Sequence, residues 1–161
     1  MNETTTRVEL DATDLRLLDL LQQDASSSNQ ALAELAHVSP ATCLRRVKRL
    51  TDSGVIERRV ALLSPERLGA GLSAIVEITL DRQDAEHLAA FEARVLDEPA
   101  VQQSYRVSPG PDFVVIVQVP DMPGYHALVQ RLFTSDANVR NVKTFFSIHR
   151  AKFETRIALP T

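Results

Sequence analysis

Arg45, Arg46, Lys48 and Arg49 fall within five residues of the stretch SPATCLRRVKRL (39–50), and Arg58 and Arg59 follow shortly after. Guanidinium groups at this density do one kind of chemistry well: they bond bidentately to guanine edges and neutralise phosphates. Residues 39–59 carry six cations against Asp52 and Glu57, a local charge of +4, whereas the 161-residue chain as a whole stands at -3. Contact with a polyanion is therefore local to this segment, not a general coating of positive charge. The other reactive side chains are dispersed. His37, His87, His126 and His149 lie too far apart for a short metal-ligand spacing, and Cys43 is the sole cysteine. No metal, disulfide, nucleophile or phosphate-loop constellation follows, so the sequence reads as a non-enzyme without a cofactor.

A helix must position the cations. Ser39 is a good N-cap, and Pro40 suits the first helical position because it gives up no hydrogen bond there. At about 100° per residue, Leu44, Val47, Cys43 and Leu50 form one apolar arc, and Thr42, Arg45, Arg46 and Arg49 share the opposite face, with Lys48 on the flank. Cys43 then belongs to the core as a small hydrophobe and not to a redox sensor. Upstream, LDATDLRLLDLLQQDA (10–25) reads as a helix entered through Asp11, with Asp14 favourable to the helix dipole and Leu15, Leu18 and Leu21, widened by Leu17 and Leu20, inward. SSSNQALAELAHV (26–38) is a polar turn and a short second helix with Leu32, Leu35 and Ala36 apolar. The third helix ends near Asp52-Ser53-Gly54, and VIERRVALLS (55–64) alternates as a strand.

Three short helices with a strand behind them make a winged helix-turn-helix reading. It puts Ser39, Thr42, Arg45, Arg46, Arg49, Arg58 and Arg59 at double-stranded DNA, with Thr42 and Arg45 at base edges and Arg49, Arg58 and Arg59 at phosphates. A solvated charged face remains the plain alternative for such a run.

Pro65, Gly69 and Gly71 mark a break, after which strands replace leucine-rich helices. LSAIVEITL (72–80), VQQSYRV (101–107), DFVVIVQV (112–119) and VRNVKTFFSIH (139–149) read as strands. AEHLAAFEARVLDEP (85–99) and MPGYHALVQRLFTS (122–135) read as helices, the first carrying Leu88, Phe91 and Val95 inward and the second Met122, Tyr125, Leu128, Val129 and Leu132. ITLDRQDAEHL and VQVPDMPGYHAL echo each other, with Leu88 and Leu128 each seven residues past Asp81 and Asp121. The order βαββαβ predicts a ferredoxin-like sandwich, an antiparallel sheet with both helices on one face. The fold class is α+β: a winged helix-turn-helix domain over 1–62, a linker over 63–72 and a ferredoxin-like domain over 73–161. A two-layer domain leaves the other sheet face, with Phe145, Ile148 or Val117, for water or another subunit, and a homodimer is the expectation.

These stretches resemble the Lrp/AsnC family of bacterial feast/famine transcription regulators. The opening helix is similar to its LDxxDxxIL pattern, VSPATCLRRVKRLTDSGVIERRVALLSP to its recognition helix and wing, and VEITL, VPD and the closing KFETRIALP to its regulatory strands and tail. The resemblance implies sequence-specific binding to a double-stranded operator by a homodimer that often assembles further to octamers. It also implies a small amino acid or related effector bound between subunits. By position it implies an effector site of Gly110, Asp112, Phe113, Met122, Thr144, Phe145 and Ser147. Where the family commonly reads VTGDYDY, this chain reads VSPGPDF (107–113). Pro109 and Pro111 remove two backbone donors from that loop. An amino-acid-sensing or interaction module without specific DNA binding is the competing function. No run of about 18 apolar residues occurs, and MNETTTRVELD lacks a signal-peptide pattern, so a cytoplasmic protein with no membrane partner is expected.

Overall fold

A computed structural model describes residues 8–69 and 71–160. Residues 1–7, part of the stretch read for a targeting signal, lie outside the described residues. No helix among those described is long and apolar enough to cross a membrane.

The chain divides into two compact units, one of residues 1–62 with 152–161 and one of residues 63–151. The first is helical. Helix α1 (Ala12–Gln23) starts on a reciprocal cap: the Asp11 carboxylate accepts from the Asp14 amide, and the Asp14 carboxylate accepts from the Asp11 amide. Helix α2 (Asn29–Ala36) is capped by Ser28 and stops at His37, which adopts the left-handed conformation at φ 58. Helix α3 (Pro40–Asp52) is capped by Ser39, whose side chain accepts from the Thr42 amide, and Gly54 at φ 74 turns the chain away. Leu17, Leu32, Ala33, Ala36 and Cys43 form the core between the helices. Burial pushes the Cys43 thiol above its ordinary range, as suits a core residue.

Several inward assignments shift. Leu44 is 61% exposed and Leu35 56%, and Ala33 is buried in place of Leu35. The reason is angular: the buried direction of α3 lies midway between Cys43 and Leu50. Leu44 then sits about 110° from it, whereas Arg46 sits only about 50° away. The strand expected over 55–64 is not formed among the described residues; the segment bends at Val55 and Ile56 and then runs without regular structure, with Val60, Leu62 and Leu63 exposed. An alternating sequence becomes a strand only where a partner takes its amides, and none of the described residues does so here. The tail also departs from the sequence boundary, because residues 152–160 group with the helices. Gln22 clamps the Ile157 backbone from both sides, and Arg156 pairs with Asp19 at 2.6 Å.

The second unit is the βαββαβ sandwich. Strands β1 (Leu72–Leu80), β2 (Val101–Arg106), β3 (Phe113–Val119) and β4 (Val139–Phe146) form one antiparallel sheet in the order β2-β3-β1-β4. Helices α4 (Ala85–Leu96) and α5 (Met122–Val129) lie on one face, the latter continued by a π turn over Gln130–Thr134. Alternation places Ala74, Val76, Ile78 and Leu80 with Phe113, Val115, Val117 and Val119 beneath the helices. Phe91 of α4 packs its ring 4.8 Å from that of Phe113. Val117 thus faces the helices; on β3 it is Val114 and Ile116 that join Ile75 and Phe145 on the opposite face. Met122, expected inward, is exposed. The two echoed halves differ at their caps, since α5 is capped by Asp121 but α4 by Asp84 and not Asp81.

Candidate nucleic-acid interface and ligand-domain residues

The α2–α3 turn is the tightest local construction in the helical unit. His37 supplies the left-handed residue, Ser39 starts the next helix, and the Asn29 side-chain amide donates to the Pro40 carbonyl at 2.9 Å, tying the two helix starts together. The Ser39 hydroxyl also lies 2.9 Å from the Thr42 hydroxyl, so both expected contact residues sit at the exposed N-terminal end of α3. This is the end of a recognition helix that reaches base edges in a helix-turn-helix.

The three arginines of α3 are not equivalent. Arg45 is exposed and makes no ion pair among the described residues, as is true of Arg58 and Arg59 beyond the helix. Arg46 and Arg49 turn toward α1. The Arg46 Nη1 group donates to Asp11 Oδ2 at 2.7 Å and Asp14 Oδ1 at 2.9 Å, and the Arg49 Nη2 group donates to Asp14 Oδ2 at 2.5 Å. Lys48 pairs along the helix with Asp52 at 2.7 Å. Arg46 Nε is buried and without a hydrogen-bond partner among the described residues.

Asp14 is the buried charge of this unit, 1% exposed. Burial works to push its carboxyl up, but the bonds from Arg49, the Asp11 amide and Arg46 outweigh it and leave it below the ordinary carboxylate value. Asp11 is also held low, first by the Asp14 amide and then by Arg46. Arg46 is shifted upward by the same two carboxylates, Asp11 first. Glu9, Leu10, Asp11, Asp14, Arg45, Arg46 and Arg49 line an open cleft of about 490 Å³ along this seam. Sequence reasoning used Asp14 only for the helix dipole. The missed signal was its spacing: Asp14 precedes Leu17 by three residues and Leu18 by four, so it shares their buried face.

The seven effector-site positions are not gathered in one place. Gly110 and Asp112 lie in the loop before β3, and Met122 follows its other end, about 20 Å of strand away. Asp112 is employed within the fold, its carboxylate accepting from the Leu80 amide at 2.7 Å and its own amide donating to the Ile78 carbonyl at 2.9 Å. The Val107 amide is likewise used, donating to the Asp112 carbonyl at 3.0 Å. Pro109 and Pro111 having none, Ser108 and Gly110 are left as the loop amides without a bond among the described residues. Phe113 is fully buried in the core. Thr144 points to the helix face and bonds the Tyr125 hydroxyl, whereas Phe145, the next residue, points to the open face. Met122 and Ser147 lie at the α5 end of the sheet, where the Ser147 amide donates to the Ser73 carbonyl at 2.9 Å.

A helix-turn-helix with an outward arginine, joined to a βαββαβ domain, defines a class: the two-domain DNA-binding transcriptional regulators. Residues 10–57 match the winged helix-turn-helix DNA-binding family, and residues 73–157 match the Lrp/AsnC ligand binding domain. The DNA-binding transcriptional activator DecR of Escherichia coli K12 is 37% identical over 150 residues, covering 93% of this chain and 99% of the relative. The leucine-responsive regulatory protein of Rhizobium meliloti is 36% identical over 146 residues, covering 91% and 94%. A Neisseria meningitidis transcriptional regulator solved as a complex with L-Met superposes with a TM-score of 0.87 at 29% identity, over 93% of this chain and 97% of that one. The chain belongs to the Lrp/AsnC family of DNA-binding transcriptional regulators, and it is not an enzyme.

Proposed function

We propose that this regulator binds a double-stranded operator as a homodimer through the N-terminal half of α3, with Thr42 and Arg45 at base edges. Arg49, Arg58 and Arg59 take the phosphates, and Ser39 and Arg46 complete the DNA-facing set. The observation that carries this reading is Arg45, exposed at the centre of the outward face of α3 and free of any ion pair among the described residues. The test is duplex binding by the Arg45→Ala variant. Affinity for a duplex enriched by the intact protein from a random pool should fall about 10- to 100-fold, the range of one bidentate base contact. Unchanged affinity and sequence preference would overturn the assignment.

The ligand domain, on this reading, takes a small amino acid or related metabolite between subunits. The separation of Gly110 and Asp112 from Met122, Thr144, Phe145 and Ser147 within one chain favours a composite site, in which each subunit brings one group to its neighbour. The ligand domain that goes with it is the unit of residues 63–151, the tail from residue 152 grouping with the DNA-binding unit, and the dimer is the unit from which octamers would be built. The relative solved with L-Met supports an amino-acid ligand class. Thermal melting with the twenty L-amino acids tests this: a ligand at 100 times its Kd raises stability by about 2.7 kcal/mol. If no amino acid moves the melting temperature, the effector reading fails.

A further inference from the structure

We infer that Asp14 is a positioning residue of the DNA interface: it fixes the guanidinium groups of Arg46 and Arg49, and so the register in which Thr42 and Arg45 meet the bases, without itself touching DNA. The inference rests on α3 being the DNA-facing helix.

The geometry divides the work among three arginines. One carboxylate, 1% exposed, uses its two oxygens to hold two different guanidinium groups, Arg46 at 2.9 Å and Arg49 at 2.5 Å. Arg46 is bound a second time by Asp11, and its side chain is only 24% exposed. Arg49 is different: its side chain is 47% exposed, and the one nitrogen facing Asp14 is the one that is bonded. A guanidinium carries five N–H donors in a rigid plane, so pinning one of them to a buried anion restricts the orientation of the rest, which in Arg49 sit on a half-exposed side chain. A free arginine on a helix samples many rotamers and loses that freedom on binding; a pinned one has already lost it. The carboxylates offset the charge of both guanidinium groups, so this stretch attracts duplex DNA less in general while presenting defined donors to it. Arg45, with no such partner, is left as the adjustable reader.

The test measures two affinities for the full-length protein: one for a duplex enriched from a random pool, one for an unrelated duplex, each at several salt concentrations. In Asp14→Asn the two arginines are released and the chain gains a positive charge. The expected result is that affinity for the unrelated duplex holds or rises while the ratio between the two duplexes falls about tenfold. The salt dependence should also steepen by about one phosphate contact. An unchanged ratio would overturn the inference, as would a parallel loss of both affinities, the mark of a residue that only staples α1 to α3. Should Asp14→Asn fail to fold, Arg49→Lys leaves Asp14 paired with Arg46 and keeps the charge but removes the planar fork. The ratio should then fall several-fold at an unchanged salt slope, and no change would again overturn the inference. Loss of binding in Asp14→Asn with no effect of Arg45→Ala would instead place the failure in the choice of α3 as the reading helix.

Discussion

Asp14 carries a charge into the seam between α1 and α3 and remains ionised because two guanidinium groups and a backbone amide meet it there. In Asp14→Asn the shape is kept, but an amide NH2 replaces one acceptor oxygen, so Arg46 and Arg49 lose their shared anion while Asp11 still pairs with Arg46. Both arginines are partly exposed and can rehydrate, so Asp14→Asn should cost about 1–3 kcal/mol, below the range for a fully buried pair. Chemical denaturation at neutral pH measures this. The pH dependence has a definite sign. Both α1 carboxyls titrate below their ordinary value of 3.8 in the folded state, so their contribution is complete above that value and is lost as the pH falls through the folded values. The melting temperature of the intact protein should therefore drop as the pH falls below about 4, and the drop should be smaller in Asp14→Asn.

At the scale of elements, the α2–α3 turn depends on His37 at φ 58, a left-handed conformation that costs an ordinary L-residue about 1–2 kcal/mol and glycine almost nothing. His37→Gly should raise the stability of the helical unit by up to about 1 kcal/mol, read as a higher denaturation midpoint. The helices themselves were legible because their signals are local. Ser39-Pro40 and Asp11 mark starts that hydrogen bonds to the next turn confirm, and Ser53-Gly54 marks a stop. Strand β1 was legible to the residue because its alternation is strict. The 55–64 segment was not, since strand formation depends on a partner, which alternation in one chain does not report. The inward side of Leu35 and Leu44 is illegible for a similar reason: a wide apolar arc does not say where its centre lies, and on α3 the buried Asp14 of the facing helix draws Arg46 toward the inward side in place of Leu44.

At the scale of the whole molecule, the sheet of the ligand domain has one face sealed by helices and one that carries Ile75, Ile116, Val114 and Phe145. A two-layer architecture is enough to foresee an uncovered face, but β3 is apolar at nearly every position, so its sequence does not say that Ile116 and not Val117 lies on that face. If a second copy covers that face, Ile116→Lys should convert a dimer to a monomer in analytical ultracentrifugation, with little change in the helical signal of circular dichroism. The effector positions were the least legible part. Their grouping rests on a likeness between sequences, and one chain spreads them along the sheet: Gly110 and Asp112 before the start of β3, Thr144 and Phe145 level with its middle, Met122 and Ser147 at its far end. The DNA face was more legible because its chemistry lies on a single helix, and sequence spacing alone brought Thr42 and Arg45 together.

Equilibrium binding of the intact protein and of Arg45→Ala to an enriched and an unrelated duplex at matched salt decides whether the outward face of α3 reads DNA. The variant should lose about 1–3 kcal/mol on the enriched duplex and much less on the unrelated one, with preference relaxed at the contacted base. Equal affinities of the two proteins for both duplexes would contradict a DNA-reading role for that face.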